Sequence, residues 1–336
     1  MSQYAHLSTP DPTVPAIPKF PGVINRETMP AMRERFQVPP EQRVAQYEGR
    51  LPAETAYKLT DHTVPVDGGE ITVRVIIPTS TAQEGPEFEF PVLVHYHGGG
   101  WSIGSIDGDD LGLRILSVAT RVVTVNVGYR LAPENPFPIP LNDSYTALKW
   151  TVSNAKSLRI SLAKGFFVGG VSAGGELAAV MTQKSIQDPF FTNTKITGNI
   201  LSVPLIIHPD AYPTEYAHEL LSVKQNADAP ILDRTLMDAF LDCHRAPPTS
   251  PDFSPLLGSR EGLPPTYLQI CGLDPLRDEG LLWERLLREQ GTPTKLDIYP
   301  GVPHGFPPIF PGSPLGKKWH ADWEAGVKWL LSLVKA

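Results

Sequence analysis

The chain has only two cysteines among its 336 residues, Cys243 and Cys271. Two cysteines are too few for the disulfide framework of a small secreted domain, and Cys271 ends an apolar run that is typical of a buried segment. We therefore expect a reducing compartment and predict a cytoplasmic location. Residues 1–20 lack the basic start and apolar stretch of a secretory signal, and no apolar run reaches the roughly 18 residues that span a bilayer.

The sequence also lacks an excess of positive charge, since 29 Lys and Arg face 36 Asp and Glu and give a formal net charge of -7. An acidic chain disfavours nucleic acid or an anionic membrane as the main partner. Proline and glycine are frequent but spread along the chain without a repeat, which favours many loops on a compact scaffold over disorder. We expect a small-molecule partner, with no nucleic acid and no stable membrane association, and leave a homodimer open.

Short apolar segments alternate with helical patterns along most of the chain, which is typical of an α/β fold with a mostly parallel sheet covered on both faces. Two strands of alternating polarity, Tyr57–Val66 and 70–77, flank the hairpin signal Asp67-Gly68-Gly69. Further strands are predicted at 91–96, 122–127, Phe166–Val171, 196–207, 265–271 and 295–299. The helices between and after them are predicted at 111–120, 144–153, 173–186, 279–289 and 317–335.

Two segments outside this alternation are predicted to form a helical cap. Residues 1–55 are rich in proline and contain helical patterns at Met29–Arg35 and 41–47, while residues 208–248 contain helical patterns at 217–223 and 232–243. Binding sites in open α/β sheets lie at the carboxyl edge of the strands, so we place both segments there as a lid. The core then consists of residues 56–207 and 249–336.

The most informative motif is Gly170-Val171-Ser172-Ala173-Gly174, which joins a predicted buried strand to an alanine-rich helix. A G-x-S-x-G turn of this kind holds the serine hydroxyl clear of the sheet edge, where a histidine and a substrate carbonyl can both reach it. Glycines on both sides avoid the collisions that side chains would make across so tight a bend. The motif predicts that Ser172 is a nucleophile.

A second glycine-rich stretch, His97-Gly98-Gly99-Gly100-Trp101, directly follows the predicted strand 91–96. Consecutive glycines cost entropy and pack nothing, but they let backbone N–H groups point at a ligand without obstruction. The N–H groups of Gly98 and Gly99, with that of Ala173, are therefore the predicted oxyanion hole. Trp101 either lines the substrate pocket or closes the end of the strand, and both interpretations stay open.

One of the nine histidines has the context of a catalytic base. His304 lies in a loop after the last predicted strand, where flanking prolines and glycines fix an irregular path. A histidine at the carboxyl end of this strand can reach Ser172 from above. His95 and His97 form an H-x-H pair, a spacing found in some metal sites, but acidic and cysteine ligands are missing nearby and we predict no metal site.

The orienting acid is predicted in the turn after the strand 265–271. Asp274 is favoured because Pro275 fixes the turn and starts the next helix. The alternative, Asp278, would lie in the first turn of that helix, where a carboxylate is favourable for structural reasons alone. The resulting order Ser172, Asp274, His304 is the order expected of an α/β-hydrolase triad.

Five motifs in this order closely resemble the hormone-sensitive lipase family of esterases. The resemblance implies the α/β-hydrolase fold, with a mostly parallel eight-stranded sheet, helices on both faces and a helical cap. It implies hydrolysis of carboxylic esters without a metal or organic cofactor. One departure is Val171, where family members commonly carry Asp or Thr. The motifs are HGGGW (97–101), YRLAPE (129–134), GVSAGG (170–175), DPLRDEG (274–280) and HGF (304–306).

The predicted function is a serine carboxylesterase that acts on short- to medium-chain acyl esters through an acyl-enzyme. The alternative is a hydrolase or acyl transferase that uses the same triad on an acetylated metabolite, a lactone or an amide, because the cap and the pocket walls decide the acceptor. A ligand-binding pseudoenzyme is a further alternative, since the plant gibberellin receptor resembles this family but lacks the catalytic histidine. The presence of His304 argues against it.

The loop that contains the YRLAPE motif and the final helix each carry a structural expectation. Arg130 and Glu134 are expected to form an internal ion pair within a rigid loop. The final helix should pack one apolar face on the sheet because its large apolar side chains recur at helical spacing. These side chains are Trp319, Trp323, Val327, Leu330 and Val334.

Overall fold

The structure is a computed structural model, which describes residues 3–17, 24–35 and 37–334. Its eight strands form one sheet in the order β1-β2-β4-β3-β5-β6-β7-β8. β2 pairs antiparallel with β1 and with β4, and the remaining neighbours are parallel. The strands are β1 Tyr57–Val66, β2 Gly69–Pro78, β3 Val92–Tyr96, β4 Val123–Gly128, β5 Phe166–Val171, β6 Gly198–Ser202, β7 Thr266–Leu273 and β8 Thr294–Pro303.

Ten α-helices accompany this sheet among the described residues. The predicted α/β-hydrolase fold class, with helices around a mostly parallel eight-stranded sheet, is confirmed. The helices are α1 Met29–Arg35, α2 Pro40–Gln46, α3 Asp110–Thr120, α4 Ile139–Ser153, α5 Ala173–Gln187, α6 Ser222–Gln225, α7 Arg234–His244, α8 Arg277–Glu289, α9 Phe306–Ile309 and α10 Pro314–Leu333.

The predicted hairpin is present in the expected register. Val66 pairs with Gly69 across the two-residue turn, and Gly68 has a φ of 70°, which glycine adopts without strain. β3, β4, β5 and β7 lie within two residues of their predicted bounds, whereas β8 runs four residues beyond its predicted end. β3 and β5 are buried at every position, as expected for central strands covered on both faces.

Two predicted elements are shorter in the structure, and each has a local cause. β6 ends at Ser202 and not at position 207, because Val203 turns the chain at a φ of 44° and Pro204 has no N–H for the ladder. The helix predicted at 217–223 is reduced to α6. There the N–H of Leu221 donates to the Asp278 carboxylate at 3.0 Å, so it does not form an i to i−4 helical hydrogen bond and the helix begins only at Ser222.

Helix starts differ from the predictions where capping decides the boundary. α4 begins at Ile139, five residues before the predicted start, because Pro140 is tolerated in a first turn that needs no N–H from it. α7 begins at Arg234 because the Asp233 carboxylate accepts a hydrogen bond from the N–H of Leu236 at 2.8 Å.

α10 packs the predicted apolar face on the sheet. Trp319, Trp323, Val327 and Leu330 are buried, and Val334 is half-buried just beyond the helix. Position 335, the predicted end of this helix, lies outside the described residues.

The predicted division into core and cap segments stays a prediction, and positions 1–2, 18–23 and 36 of its first segment are also outside the described residues.

The closest backbone packing in the core joins β3 to the start of α5. A Cβ atom added to Gly174 would lie 2.0 Å from the carbonyl oxygen of Tyr96 and 2.6 Å from that of His97. Both obstacles are backbone atoms, so relief requires movement of a strand. Only glycine therefore fits at this position.

We expect Gly174→Ala to destabilise the protein by about 3 kcal/mol or more, because overpacking against fixed backbone has few ways to relax. Urea unfolding measures the change in the free energy of unfolding. Gly108→Ala is the matched control, since its added Cβ would lie 3.4 Å from the nearest atom, the carbonyl oxygen of Ser105. Equal unfolding midpoints for the two variants would contradict the expectation.

Candidate active site

Ser172 lies in the sharp turn between β5 and α5 with a φ of 57° and a ψ of -118°. A non-glycine residue in this region carries about 1–3 kcal/mol of backbone strain, which the surroundings must hold. The N–H of Ser172 donates to the Ser202 carbonyl at 2.8 Å, and its own carbonyl accepts the first helical bond from Glu176 at 3.0 Å. The turn is therefore anchored to β6 on one side and to α5 on the other.

The three residues predicted as nucleophile, base and acid form one continuous hydrogen-bonded chain. His304 Nε2 lies 2.9 Å from Ser172 Oγ, and His304 Nδ1 lies 2.8 Å from Asp274 Oδ2. Asp274 is 1% exposed and His304 is 6% exposed, so bulk water competes weakly for these bonds. The carboxylate on Nδ1 favours the tautomer whose free Nε2 lone pair faces the serine.

The acid turn is held by the predicted cap insertion. Asp274 Oδ1 accepts a hydrogen bond from the N–H of Leu276 at 2.8 Å, which fixes the carboxylate. Asn226 Nδ2 donates to the Asp274 carbonyl at 2.9 Å, and Ser222 Oγ donates to the Pro275 carbonyl at 2.6 Å. Residues 222–226 therefore contribute to the position of Asp274.

Asp278, the alternative acid, has other partners. Its Oδ1 accepts from Arg277 Nε at 2.8 Å and its Oδ2 accepts from the N–H of Leu221. Arg277 is fully buried, and its Nη1 also donates to Ser8 Oγ at 2.6 Å and to the Gly272 carbonyl at 3.1 Å. The structure thus places Asp278 in an ion pair and Asp274 beside the histidine.

The N-terminal segment contacts the ends of the two strands that precede Asp274 and His304. An added Cβ on Gly272, near the end of β7, would lie 2.2 Å from the Leu7 carbonyl oxygen, and one on Gly301, near the end of β8, would lie 2.2 Å from the Thr9 carbonyl oxygen. The N–H of Asp11 donates to the Gly301 carbonyl at 3.0 Å. Both strand ends are therefore packed against residues 7–11.

The predicted oxyanion loop lies against the nucleophile turn. An added Cβ on Gly98 would lie 2.9 Å from the Val171 carbonyl oxygen and 3.5 Å from Ser172 Cβ. Gly99 and Gly100 have φ values of 118° and 55°, so glycine is required for this path. The N–H groups of Gly98, Gly99 and Ala173 belong to these two adjoining turns, and their role as oxyanion donors stays a prediction.

His97 supports the base of this loop in its neutral form. Burial lowers its pKa to about 4, and its Nδ1 donates to the Gly98 carbonyl at 2.8 Å. Its ring stacks on Tyr129, whose hydroxyl donates to the His97 carbonyl at 2.7 Å. His95 bonds separately to Asp109 through Nε2 at 2.9 Å. The two histidines of the H-x-H pair thus have different partners, and no cluster of three or more metal-ligating side chains occurs among the described residues.

Trp101 is 2% exposed and packs inside the protein. Its indole stacks on His244 with 4.5 Å between ring centroids and lies 5.1 Å from the ring of Phe253. Its Nε1 donates to Glu176 Oε2 at 2.9 Å. Its predicted contribution to the substrate pocket stays a prediction.

Glu176 is a buried carboxyl one helical turn after Ser172. Burial raises its pKa well above the usual range, the nearby Asp252 raises it further, and the bond from Trp101 opposes this rise. Its Oε1 has no hydrogen-bond partner among the residues that the structure describes. Burial therefore favours the neutral form of this carboxyl.

The expected ion pair between Arg130 and Glu134 is wrong. Arg130 instead forms a two-pronged pair with the buried Asp143, with Nη2 2.7 Å from Oδ1 and Nε 2.8 Å from Oδ2. Glu134 binds Arg33 of α1 at 2.8 Å. Arg33 also donates to the Ser102 carbonyl at 2.8 Å, so an N-terminal helix contacts the segment next to the oxyanion loop.

Sequence reasoning missed three supporting residues of this site: Arg33, Glu176 and Asn226. The spacing of four residues from Ser172 places Glu176 one turn further on the same helix, so its position could have been deduced. Its bond to Trp101 could not, because that contact spans 75 residues. Arg33 and Asn226 lie in predicted cap segments whose docking no local pattern specifies.

Comparison with known proteins identifies the family. Residues 93–308 match a family model described as an alpha/beta hydrolase fold. The chain belongs to the hormone-sensitive lipase family of α/β hydrolases. Val171, at the position where the family commonly has Asp or Thr, is buried among Val203, Cys271 and other apolar side chains, which an ionised residue would not join without a partner.

Relatives within this family are named as esterases. The chain is 36% identical to versiconal hemiacetal acetate esterase of Dothistroma septosporum over 276 residues, covering 81% of this chain and 82% of the relative. It is 36% identical to carboxylesterase NlhH of Mycobacterium tuberculosis over 260 residues, covering 74% and 75%. The chain is a carboxylic ester hydrolase.

One solved structure matches nearly the whole chain. The crystal structure of vibralactone cyclase superposes with a TM-score of 0.91 at 36% identity and covers 98% of this chain and 97% of that one. In the described part of this chain, we find no helix that combines the length and the apolar character needed to cross a membrane.

We expect Asp274→Asn to lower kcat by about 10⁴-fold, because an amide cannot hold the histidine in the productive tautomer. Steady-state kinetics on a chromogenic ester measure the loss. Asp278→Asn is the matched control: it breaks a buried ion pair and should lower the urea midpoint, while kcat of the folded enzyme stays within about tenfold. The reverse pattern would assign the acid to Asp278.

Glu176→Gln should become more stable relative to the wild type as the pH rises. In the wild type the folded state keeps a proton on Glu176 that the unfolded chain releases above its ordinary pKa of 4.5, so wild-type stability is lost as the pH increases. Between about pH 5 and the raised pKa of the folded state, the difference in unfolding free energy should grow by about 1.4 kcal/mol per pH unit. Urea unfolding from pH 5 to pH 8 measures this slope, and a constant difference would show that Glu176 is ionised.

Proposed function

We propose that this enzyme hydrolyses short- to medium-chain carboxylic esters with Ser172, His304 and Asp274 as a catalytic triad. The observation that carries the proposal is the continuous hydrogen-bonded chain from Ser172 Oγ through the His304 ring to Asp274 Oδ2, with bonds of 2.9 and 2.8 Å. The strained turn at Ser172 supports it, because strain of this kind is concentrated at functional sites.

In this mechanism His304 Nε2 takes the proton from Ser172 Oγ as the oxygen attacks the ester carbonyl carbon. Asp274 accepts the Nδ1–H bond throughout and stabilises the imidazolium that forms. The N–H groups of Gly98, Gly99 and Ala173 donate to the developing oxyanion, and each such donor contributes about 3 kcal/mol in well-studied serine hydrolases. His304 then protonates the leaving alcohol. In the second half of the reaction, His304 takes a proton from water as the water attacks the acyl-enzyme, and then returns a proton to Ser172 Oγ as the acid leaves.

The neutral surroundings of the site favour this charge separation. His97, beneath the predicted oxyanion loop, has its pKa lowered to about 4 by burial, and burial raises the pKa of Glu176 well above its usual range, which favours the neutral carboxyl. A fixed negative charge beside the loop would oppose the oxyanion in a region of low dielectric. The site therefore presents backbone dipoles without an opposing side-chain charge from these two residues.

The preference for shorter acyl chains rests on the closeness of α7 to the oxyanion loop. The ring of Phe240 lies directly on Gly100, since an added Cβ there would be 2.2 Å from the ring. Phe240 and its neighbours Leu236 and Met237 are buried. An apolar wall this close to the loop favours small or medium acyl groups over long ones.

A second candidate is acyl transfer to an alcohol within the substrate or in solution, which would give a lactone or a new ester. The likeness to vibralactone cyclase over 98% of the chain favours it, because a lactone is a cyclic ester. The triad would act in the same way, with a hydroxyl group replacing water as the acceptor. The acetyl ester of a metabolite is a further substrate class that this chemistry accommodates.

A panel of p-nitrophenyl esters from acetate to palmitate tests both proposals. We expect rapid turnover of the short esters, little turnover of palmitate, and a loss of at least about 1,000-fold in kcat/KM for Ser172→Ala. Ser157→Ala, which changes an exposed serine outside the five motifs, is the control and should match the wild type. Equal activity of Ser172→Ala and the wild type would reject the nucleophile.

The same reactions run with added alcohols separate the two functions. Mass spectrometry of the products gives the ratio of free acid to new ester. Free acid as the main product supports hydrolysis, whereas ester formation that saturates with alcohol supports acyl transfer.

We also propose a cytoplasmic location and a small-molecule partner for this enzyme. Cys243 and Cys271 are both free and buried, which accords with a reducing compartment.

A further inference from the structure

The oxyanion loop has almost no side chains of its own to hold its shape. Gly99, Gly100 and Trp101 follow one another with φ values of 118°, 55° and 57°. Two of these residues are glycines, so the Trp101 side chain is the first after Gly98 that can fix the orientation of the loop. Since Trp101 is 2% exposed, its indole occupies one defined position.

The indole is bonded to the helix that carries the nucleophile. Trp101 Nε1 donates to Glu176 Oε2 at 2.9 Å, and Glu176 is four residues after Ser172, about 6 Å along α5. The N–H of Glu176 also bonds to the Ser172 carbonyl. One side chain thus connects the loop of Gly98 and Gly99 to the turn of Ser172 and Ala173.

We propose that Glu176 is a positioning residue, which holds the oxyanion loop in register with Ser172 through its hydrogen bond to Trp101. This role rests on the proposed triad function and extends it to the alignment of the two halves of the oxyanion hole. Glu176 does not touch the substrate. It acts through Trp101, which is also held by the stacked ring of His244.

A carboxyl suits this role because it can accept the indole hydrogen bond and because burial favours its uncharged form. A neutral carboxyl accepts the indole hydrogen bond and adds no negative charge beside the developing oxyanion. Glutamine offers the same acceptor at the same distance. Methionine has a similar length and no equivalent acceptor, so the pair of variants isolates the hydrogen bond.

The test compares Glu176→Gln, Glu176→Met and Trp101→Phe in the full-length enzyme with a short p-nitrophenyl ester. We expect Glu176→Met and Trp101→Phe each to lower kcat by about 10- to 100-fold with KM changed by less than about threefold, since the misaligned donors act on the transition state. Glu176→Gln should retain kcat within about threefold. The double variant should be no slower than the slower single variant, because both changes remove one bond.

Two ligands separate misalignment from general damage. A trifluoromethyl ketone forms a hemiketal with Ser172 whose oxygen stands for the oxyanion, so its affinity should fall in parallel with kcat/KM. A non-hydrolysable ether analogue of the substrate places no charge on that oxygen, and its affinity should stay constant. Equal losses for both ligands would overturn the proposal.

Trp283→Phe is the matched control for the loss of an indole in the core. Trp283 is 1% exposed, and its Nε1 has no partner among the described residues. It should lower the urea midpoint without changing kcat. If Trp101→Phe and Glu176→Met both keep wild-type kcat, the bond has no positioning role.

The outcome is separable from that of the proposed function. Wild-type enzyme that hydrolyses no ester would reject the function itself. Wild-type hydrolysis that requires Ser172 but is unchanged by Glu176→Met would reject the positioning role alone.

Discussion

The hydrogen bond between His304 Nε2 and Ser172 Oγ is the interaction on which the site depends, and it joins residues 132 positions apart. Neither residue reaches the other by local structure. Ser172 is presented by a strained turn between β5 and α5, and His304 is presented by the loop after β8. The parallel sheet makes the meeting possible, because the carboxyl ends of its strands lie along one edge.

The strained turn can persist because its surroundings over-determine it. Close backbone contacts from the end of β3 leave room only for hydrogen at Gly174, and the Ser202 carbonyl fixes the N–H of Ser172. The cost of about 1–3 kcal/mol at Ser172 is small beside the packing that these contacts bring. A rigid turn of this kind also keeps the hydroxyl at bonding distance without help from the substrate.

The parts of the site that follow local chemistry could be predicted from the sequence. Gly170 and Gly174 favour a sharp turn because neither has a side chain, and Pro275 marks the turn before the next helix, although α8 itself begins only at Arg277. The pairing of Arg130 could not be predicted, because Asp143 and Glu134 are both carboxylates within reach in sequence and only the folded loop decides between them. The shortened α6 escaped prediction for a related reason: its ladder is broken by Asp278, which lies 57 residues away from Leu221. Local patterns therefore predict the turns, whereas distant polar partners decide the extent of α6 and the ion pair of Arg130.

The two predicted cap segments contact the Asp274 turn and the predicted oxyanion loop through different hydrogen bonds, so a movement of the cap would also move these parts of the site. Residues 222–226 hold the Asp274 turn, while Arg33 of α1 holds the Ser102 carbonyl beside the oxyanion loop. Residues 7–11 pack against the ends of β7 and β8, directly before Asp274 and His304. In the proposed mechanism, displacement of either segment by a bulky acyl group would move the catalytic groups, so an acyl group that is too large for the pocket would also react more slowly. Selection by size would then appear in kcat as well as in KM, because the cap and the catalytic loops share their hydrogen bonds.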